Sequence, residues 1–322
     1  MVLDPAVFLP EAIDDESRAL IEQLRALAAS APPMHTLAPA EVRAARAGGR
    51  GPGGQPIVYS DNAVLRTIPG PAGEIGLRCF IPPRVEGVYL YIHGGGWVLG
   101  TNDSSDVRLE TIANQNNLAV LSVDYRLAPE HPYPAGPDDC EAAALWLAQN
   151  AMSEFGTERL LIAGDSAGAH LAVVALTRLR DKHGLTPYSG AVLGYGVYDV
   201  AGTPSARNWG DEAVILSTPV MQWFADHFVP LERRREPDVS PIYADLHGMP
   251  PALFTVGTMD CLMDDSLFMH SRWQAAGNKA QLDVQPGGVH GLTSFPTAVG
   301  RRAQANQDAF IKALMTGSEI GS

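Results

Sequence analysis

Arg159-Leu160-Leu161-Ile162-Ala163-Gly164-Asp165-Ser166-Ala167-Gly168 runs straight into Ala169-His170-Leu171-Ala172-Val173-Val174-Ala175-Leu176-Thr177-Arg178-Leu179-Arg180. The first five residues read as a strand, and the run from His170 to Arg180 reads as an apolar helix. Between them stands G-x-S-x-G, the pattern of a nucleophile elbow, in which a sharp strand-to-helix turn exposes a serine. The five-residue pattern is weak alone, because serine and glycine are common. Its setting gives it weight. The flanking glycines have a steric reason, since a sharp turn brings backbone against backbone and leaves no room for Cβ atoms. Strain at Ser166 would persist only because the strand and the helix hold it.

Outward from this stretch, strand-like and helix-like runs alternate. Residues 63–68 and 74–81 flank Pro69-Gly70-Pro71-Ala72-Gly73 and suit a hairpin. Further strands are expected at 87–92, 118–123, 191–195, 252–256 and 281–285, with helices near 107–116, 137–150, 167–182, 265–276 and 301–315. Apolar strands separated by helices imply an α/β protein with a mainly parallel sheet covered on both faces. The gap between the strands near 195 and 252 exceeds a plain crossover, so residues 202–248 are expected to form an insertion with a helix at 219–228. An amphipathic helix at 14–29 carries Leu20, Ile21, Leu24 and Leu27 on one face. Gly48–Pro56, with five glycines, reads as a flexible connector after it. The expected segments are 1–55, 56–201, 202–248 and 249–322.

His93-Gly94-Gly95-Gly96-Trp97 follows the strand at 87–92. Three glycines let a loop present bare N–H groups to charge developing on a carbonyl oxygen. The N–H of Ala167, directly after the serine, would add a donor at a helix N-terminus. A phosphate-cradling loop is excluded here, since neither G-x-x-x-x-G-K-[ST] nor G-x-G-x-x-G occurs at this strand end. His93 is expected to brace the loop. With an elbow of this kind an acid follows the serine and a histidine follows the acid. Asp260 sits just beyond the strand at 252–256, at the carboxyl edge where such sheets place their sites. Asp264 and Asp265 compete, but helix capping explains them. Of the two histidines beyond Asp260, His270 lies in a helical run, and His290 lies in Pro286-Gly287-Gly288-Val289-His290-Gly291, read as a loop. His290 is the expected base.

Composition narrows the function class. The 322 residues carry 36 acidic and 23 basic side chains, a net charge of −13, which disfavours nucleic acid as a partner. Three widely spaced cysteines, Cys79, Cys140 and Cys261, suit neither a metal site nor a disulfide framework and are expected to be buried thiols. The N-terminal residues show no basic region followed by an apolar stretch, and no window approaches a membrane span. A cytoplasmic protein is expected.

Together with Asp124-Tyr125-Arg126-Leu127-Ala128-Pro129-Glu130-His131-Pro132-Tyr133-Pro134-Ala135, these motifs resemble the hormone-sensitive lipase family of α/β-hydrolases, the bacterial family IV esterases. The resemblance extends from about residue 56 to the C-terminus. It implies an α/β-hydrolase fold with a helical cap, built from the N-terminal segment and the insertion. It places the nucleophile on Ser166, the acid on Asp260, the base on His290, and the oxyanion donors within Gly94–Gly96 together with Ala167. The 124–135 segment is implied to brace the site. Three departures stand out: Ala169 for a glycine, Cys261 for a proline and Leu292 for a phenylalanine; they bear on the shape of the acyl pocket.

The implied activity is hydrolysis of short- to medium-chain carboxylic esters through an acyl-enzyme, needing no metal, nucleotide or other cofactor. The partner is a small-molecule ester, and dimers are common among such enzymes. An amidase or peptidase using the same three residues, and a non-catalytic small-molecule receptor on the same fold, are the alternatives; His290 argues against the receptor. Trp97, Leu216, Met221, Phe224 and Leu292 are candidates for the acyl pocket, each equally readable as core.

Overall fold

The computed structural model describes residues 4–46, 54, 56–212 and 214–318. Of the connector expected at 48–56, all but Gly54 and Pro56 lies outside them. In chain order the elements are α1 (Asp15–Ala29), α2 (Pro39–Arg46), β1 (Val64–Gly70), β2 (Gly73–Phe80), β3 (Gly87–Ile92), α3 (Asp106–Asn116), β4 (Leu118–Asp124), α4 (Ala135–Phe155), β5 (Leu160–Asp165), α5 (Ala167–His183), β6 (Tyr188–Gly194), α6 (Pro204–Asn208), α7 (Thr218–Phe228), β7 (Ala252–Met259), α8 (Met263–Ala275), β8 (Ala280–Val289) and α9 (Ala298–Thr316).

The strands form one sheet in the order β1-β2-β4-β3-β5-β6-β7-β8. The β1–β2 hairpin and the β2–β4 pair are antiparallel, and every later pair is parallel. β3 is buried along its whole length, and β5 up to Asp165, which reflects helices on both faces. On one face Leu90, Ile92, Leu121 and Ile162 meet the small apolar side chains of α4 and α5, such as Ala143, Ala144, Ala172 and Val173. On the other, Tyr89, Val120, Leu161 and Val192 meet Leu109 and Ile112 of α3 and Phe310 and Ile311 of α9. The turn into α5 therefore rises from the middle of the sheet, where backbone freedom is least.

Three local expectations need correction. First, β8 runs on through Pro286, Gly287 and Gly288, where a loop is expected from the breaker residues. β8 is an edge strand, where a proline without an N–H is tolerated, and a register shift between Gly257 and Met259 absorbs the irregularity. Second, Asp264 and Asp265 lie in the first turn of α8, where their charge complements the helix dipole, but their side chains accept from residues 198–205 rather than capping their own helix. Asp264 accepts from Ser205 N, and buried Asp265 accepts from Tyr198 N (2.6 Å), Asp199 N (2.9 Å) and Thr203 Oγ1 (2.6 Å). Third, the stripe of α1 meets the insertion at Val214 and Ile215, before α7, rather than at α7 itself. Ile21 and Leu24 pack with Val214, Val289 and Phe295, Glu16 accepts the Ala298 N–H, and Leu27 is exposed. The partner of α7 is the segment between α1 and α2, where Trp223 Nε1 donates to Leu37 O (3.2 Å).

Asp265 gives a stability test. Asp265→Ala leaves three buried donors without an acceptor, each loss costing about 1–3 kcal/mol. Urea denaturation should show a loss of at least about 3 kcal/mol. A loss below a tenth of that would mean the insertion is not tied down through this carboxylate.

Cys79, Cys140 and Cys261 are buried and unpaired. No helix among the described residues is long and apolar enough to cross a membrane.

Candidate active site

At the end of β5 the chain reverses within one residue. Ser166 adopts φ 57° and ψ −121°, in the left-handed region that an L-residue occupies only under constraint. The constraint is visible: Ser166 N donates to Gly194 O (2.8 Å), and His170 N donates to Ser166 O (3.2 Å). The glycines on either side are sterically required. A Cβ at Gly164 would lie 2.3 Å from the Gly168 carbonyl carbon, and one at Gly168 would lie 1.9 Å from Ile92 O.

The strained serine faces His290, the first residue past β8. His290 Nε2 lies 2.9 Å from Ser166 Oγ, and Nδ1 lies 2.8 Å from Asp260 Oδ2. Asp260 follows β7 directly and is fully buried, with Oδ1 accepting from Leu262 N (2.9 Å). Because a carboxylate only accepts, the proton of neutral His290 belongs on Nδ1, and Nε2 is left to accept from the serine hydroxyl. The Tyr195 ring stands edge-on to the imidazole at 5.1 Å and limits its swing. Ser166, Asp260 and His290, 124 residues apart at their extremes, thus form one continuous line. Such a line can take a proton from a hydroxyl as it attacks a carbonyl.

The glycine loop lies beside the serine. Gly94 passes so close that a Cβ there would be 3.3 Å from Ser166 Cβ. Gly95 and Gly96 adopt φ 117° and 59°, and Gly95 O accepts from Val98 N and Leu99 N, which curls the loop. Among the described residues the N–H groups of Gly95, Gly96 and Ala167 have no protein acceptor. Gly94, Gly95 and Gly96 line the same cavity as Ser166 and His290; Ala167, at the first position of α5, is buried just behind.

Beneath the loop, His93 Nδ1 lies 2.8 Å from Gly94 O, and its ring stacks on Tyr125 at 4.3 Å. Burial pulls its pKa down to about 4, so it stays neutral in its bracing position. Tyr125 Oη donates to His93 O (2.9 Å), and Ala128 N donates to Trp97 O (2.9 Å). Arg126 forks onto buried Asp139 (2.8 and 2.9 Å), anchoring the 124–135 segment to α4.

The cavity over Ser166 measures about 490 Å³. Of the five pocket candidates, Leu216 and Phe224 line it. Trp97 does not: its ring stacks on Phe228 at 4.3 Å and its Nε1 donates to His170 Nδ1 (3.0 Å). Leu292 packs with Val256 and Val299 instead, and Met221 packs on the main core. Residues the sequence did not single out complete the wall: Met34, Leu127 and Ile215 are apolar, while Tyr59, Thr101 and Ser104 are polar. Asp165 also faces the cavity. Burial pushes its pKa up, and Tyr91 Oη donates to it (3.0 Å). Its place as the second residue of the elbow was the signal available.

Residues 89–294 match the model of a family described by its α/β-hydrolase fold. The carboxylesterase NlhH of Mycobacterium tuberculosis is 36% identical over 242 residues, covering 72% of this chain and 75% of that protein. The carboxylic ester hydrolase LipN of the same organism is 34% identical over 263 residues, covering 78% and 70%. Among solved structures, a hyperthermophilic esterase from the archaeon Pyrobaculum calidifontis superposes with a TM-score of 0.83 at 32% identity, covering 94% of this chain and 98% of that one. With the fold, the elbow and these relatives in agreement, this chain belongs to the α/β-hydrolases, in the hormone-sensitive lipase branch of family IV esterases.

Proposed function

We propose that the chain is a serine carboxylesterase in which Ser166 is the nucleophile, His290 the general base and Asp260 the group that orients it. The observation that carries this reading is the unbroken Ser166–His290–Asp260 line, opening on a cavity whose wall is mostly apolar. As Ser166 Oγ attacks the ester carbonyl, its proton passes to His290 Nε2, and buried Asp260 stabilises the imidazolium. The carbonyl oxygen gains charge and is held by N–H groups of Gly94–Gly96 and Ala167. His290 then protonates the leaving alkoxide. Water, deprotonated by the same imidazole, releases the acid from the acyl-enzyme.

The cavity volume suits short- to medium-chain acyl groups. In this reading residues 1–55 and 202–248 act as the cap, supported by the Trp223–Leu37 bond and by Met34, Ile215 and Phe224 in the cavity wall. Three buried, unpaired cysteines favour a reducing, cytoplasmic setting.

Matched butyrate ester and butyranilide substrates test the reaction class. An esterase should turn over the ester by orders of magnitude faster, because an anilide also requires protonation of a poor amine leaving group. Comparable rates would make it an amidase, and no rate on either would make it a receptor.

A further inference from the structure

Arg43 and Arg46 both leave the last turn of α2 and both line the cavity over Ser166, but they differ in what holds them. The Arg43 guanidinium is fully engaged. Its Nε donates to Val98 O (2.9 Å), Nη2 to Ala128 O (2.6 Å) and Nη1 to Glu130 (2.8 Å). Arg46 has no hydrogen bond or ion pair among the described residues, although its side chain is partly buried. The contrast extends to the electrostatics. Arg78, Arg126, Arg178 and Arg180 each sit against a carboxylate that raises the pKa, whereas burial lowers that of Arg46.

A guanidinium stays protonated at any ordinary pH, so Arg46 presents a partly buried cation with no counter-ion among the described residues. Neither carboxylate in the same wall pairs with Arg46: Asp103 accepts from Thr101 Oγ1, and Asp165 from Tyr91 Oη. In a chain of net charge −13, an anion entering this cavity meets complementary charge at Arg46. Arginine also offers a carboxylate two parallel donors.

We propose that Arg46 is an anion subsite of the substrate cavity, and that this enzyme takes esters whose far end is a carboxylate, such as monoesters of dicarboxylic acids. The proposal rests on the esterase reading of Ser166 and names the substrate class of that site. The ester bond is hydrolysed as above, and the remote carboxylate is bound but unchanged.

The probes are ethyl hydrogen succinate and ethyl hydrogen adipate, each beside the neutral ester in which a methyl ketone replaces the carboxylic acid. Ethanol release gives kcat/KM. The wild-type enzyme should hydrolyse the acid of at least one length as efficiently as its ketone. Arg46→Gln should lower that acid-to-ketone ratio about tenfold or more, chiefly through KM. Arg46→Lys, which keeps the cation but loses the paired donors, should fall between the wild-type and Arg46→Gln ratios. A ratio unchanged in Arg46→Gln at both lengths, an equal loss on acids and ketones, or rejection of both acids by the wild-type enzyme would overturn the subsite. Failure of the folded wild-type protein on the ketone esters as well would overturn the esterase reading itself.

Discussion

Ser166→Ala is expected to lower kcat on a short-chain chromogenic ester by on the order of 10³ or more, with little change in fold. The variant removes one oxygen from a side chain whose only described partner is His290 Nε2 at 2.9 Å, so its cost falls on the reaction. His290→Ala should lose a comparable factor. Asp260→Asn should also lose a large one: an amide in place of Oδ2 can turn a donor toward Nδ1, which reverses the tautomer needed at Nε2. In the proposed mechanism the three act as a unit, so Ser166→Ala/His290→Ala should be little worse than either single change. Near-normal turnover in Asp260→Asn, with loss in Asp264→Asn, would identify the wrong acid; the structure already engages Asp264 with Ser205.

The second large effect concerns the glycine loop. A Cβ on Gly95 would lie 2.1 Å from Leu99 O, and φ 117° is closed to other L-residues, so Gly95→Val must move the main chain. Displacing one oxyanion donor costs on the order of 10²–10³ in kcat, with less effect on binding of a substrate-like inhibitor. Gly96 behaves differently. Its φ of 59° admits alanine at modest strain, but the new Cβ would meet the Phe224 ring at 2.1 Å. Gly96→Ala should therefore lose activity and regain part of it in Gly96→Ala/Phe224→Ala. Gly95→Val should regain nothing from Phe224→Ala, because its obstacle is backbone. Full turnover in folded Gly95→Val would remove the loop from the mechanism.

Much of this was readable in the residues themselves. The elbow is local: a strand, a five-residue turn and a helix adjoin in sequence, so Gly164–Gly168 could be placed before any contact was known. Asp260 and His290 followed from chain order and from their position at strand ends. The readings that needed correction depended on distant partners. Pro286-Gly287-Gly288 carries breaker residues, and only its place at the sheet edge lets β8 continue through it. The stripe on α1 announced that it needed a partner but not which one, and Val214 of the insertion took it together with Val289 and Phe295, while α7 did not. Trp97 could be pocket or core on composition alone; a stack with Phe228, 131 positions along the chain, decides it. Asp264 and Asp265 occupy positions where capping is a sufficient explanation, and their acceptors are used some sixty residues away. Arg46 carried no motif at all, since an arginine near a helix end is ordinarily surface.

The most direct measurement is covalent. The protein is treated with a short-chain p-nitrophenyl alkylphosphonate, whose phosphorus mimics the tetrahedral carbon and stays on the nucleophile that attacks it. Intact-mass and peptide analysis should show one adduct per chain, carried on the peptide at Ser166, appearing in step with loss of esterase activity and absent from Ser166→Ala. An adduct on another residue, or full inhibition of Ser166→Ala's residual rate with no label at position 166 in the parent enzyme, would contradict the account.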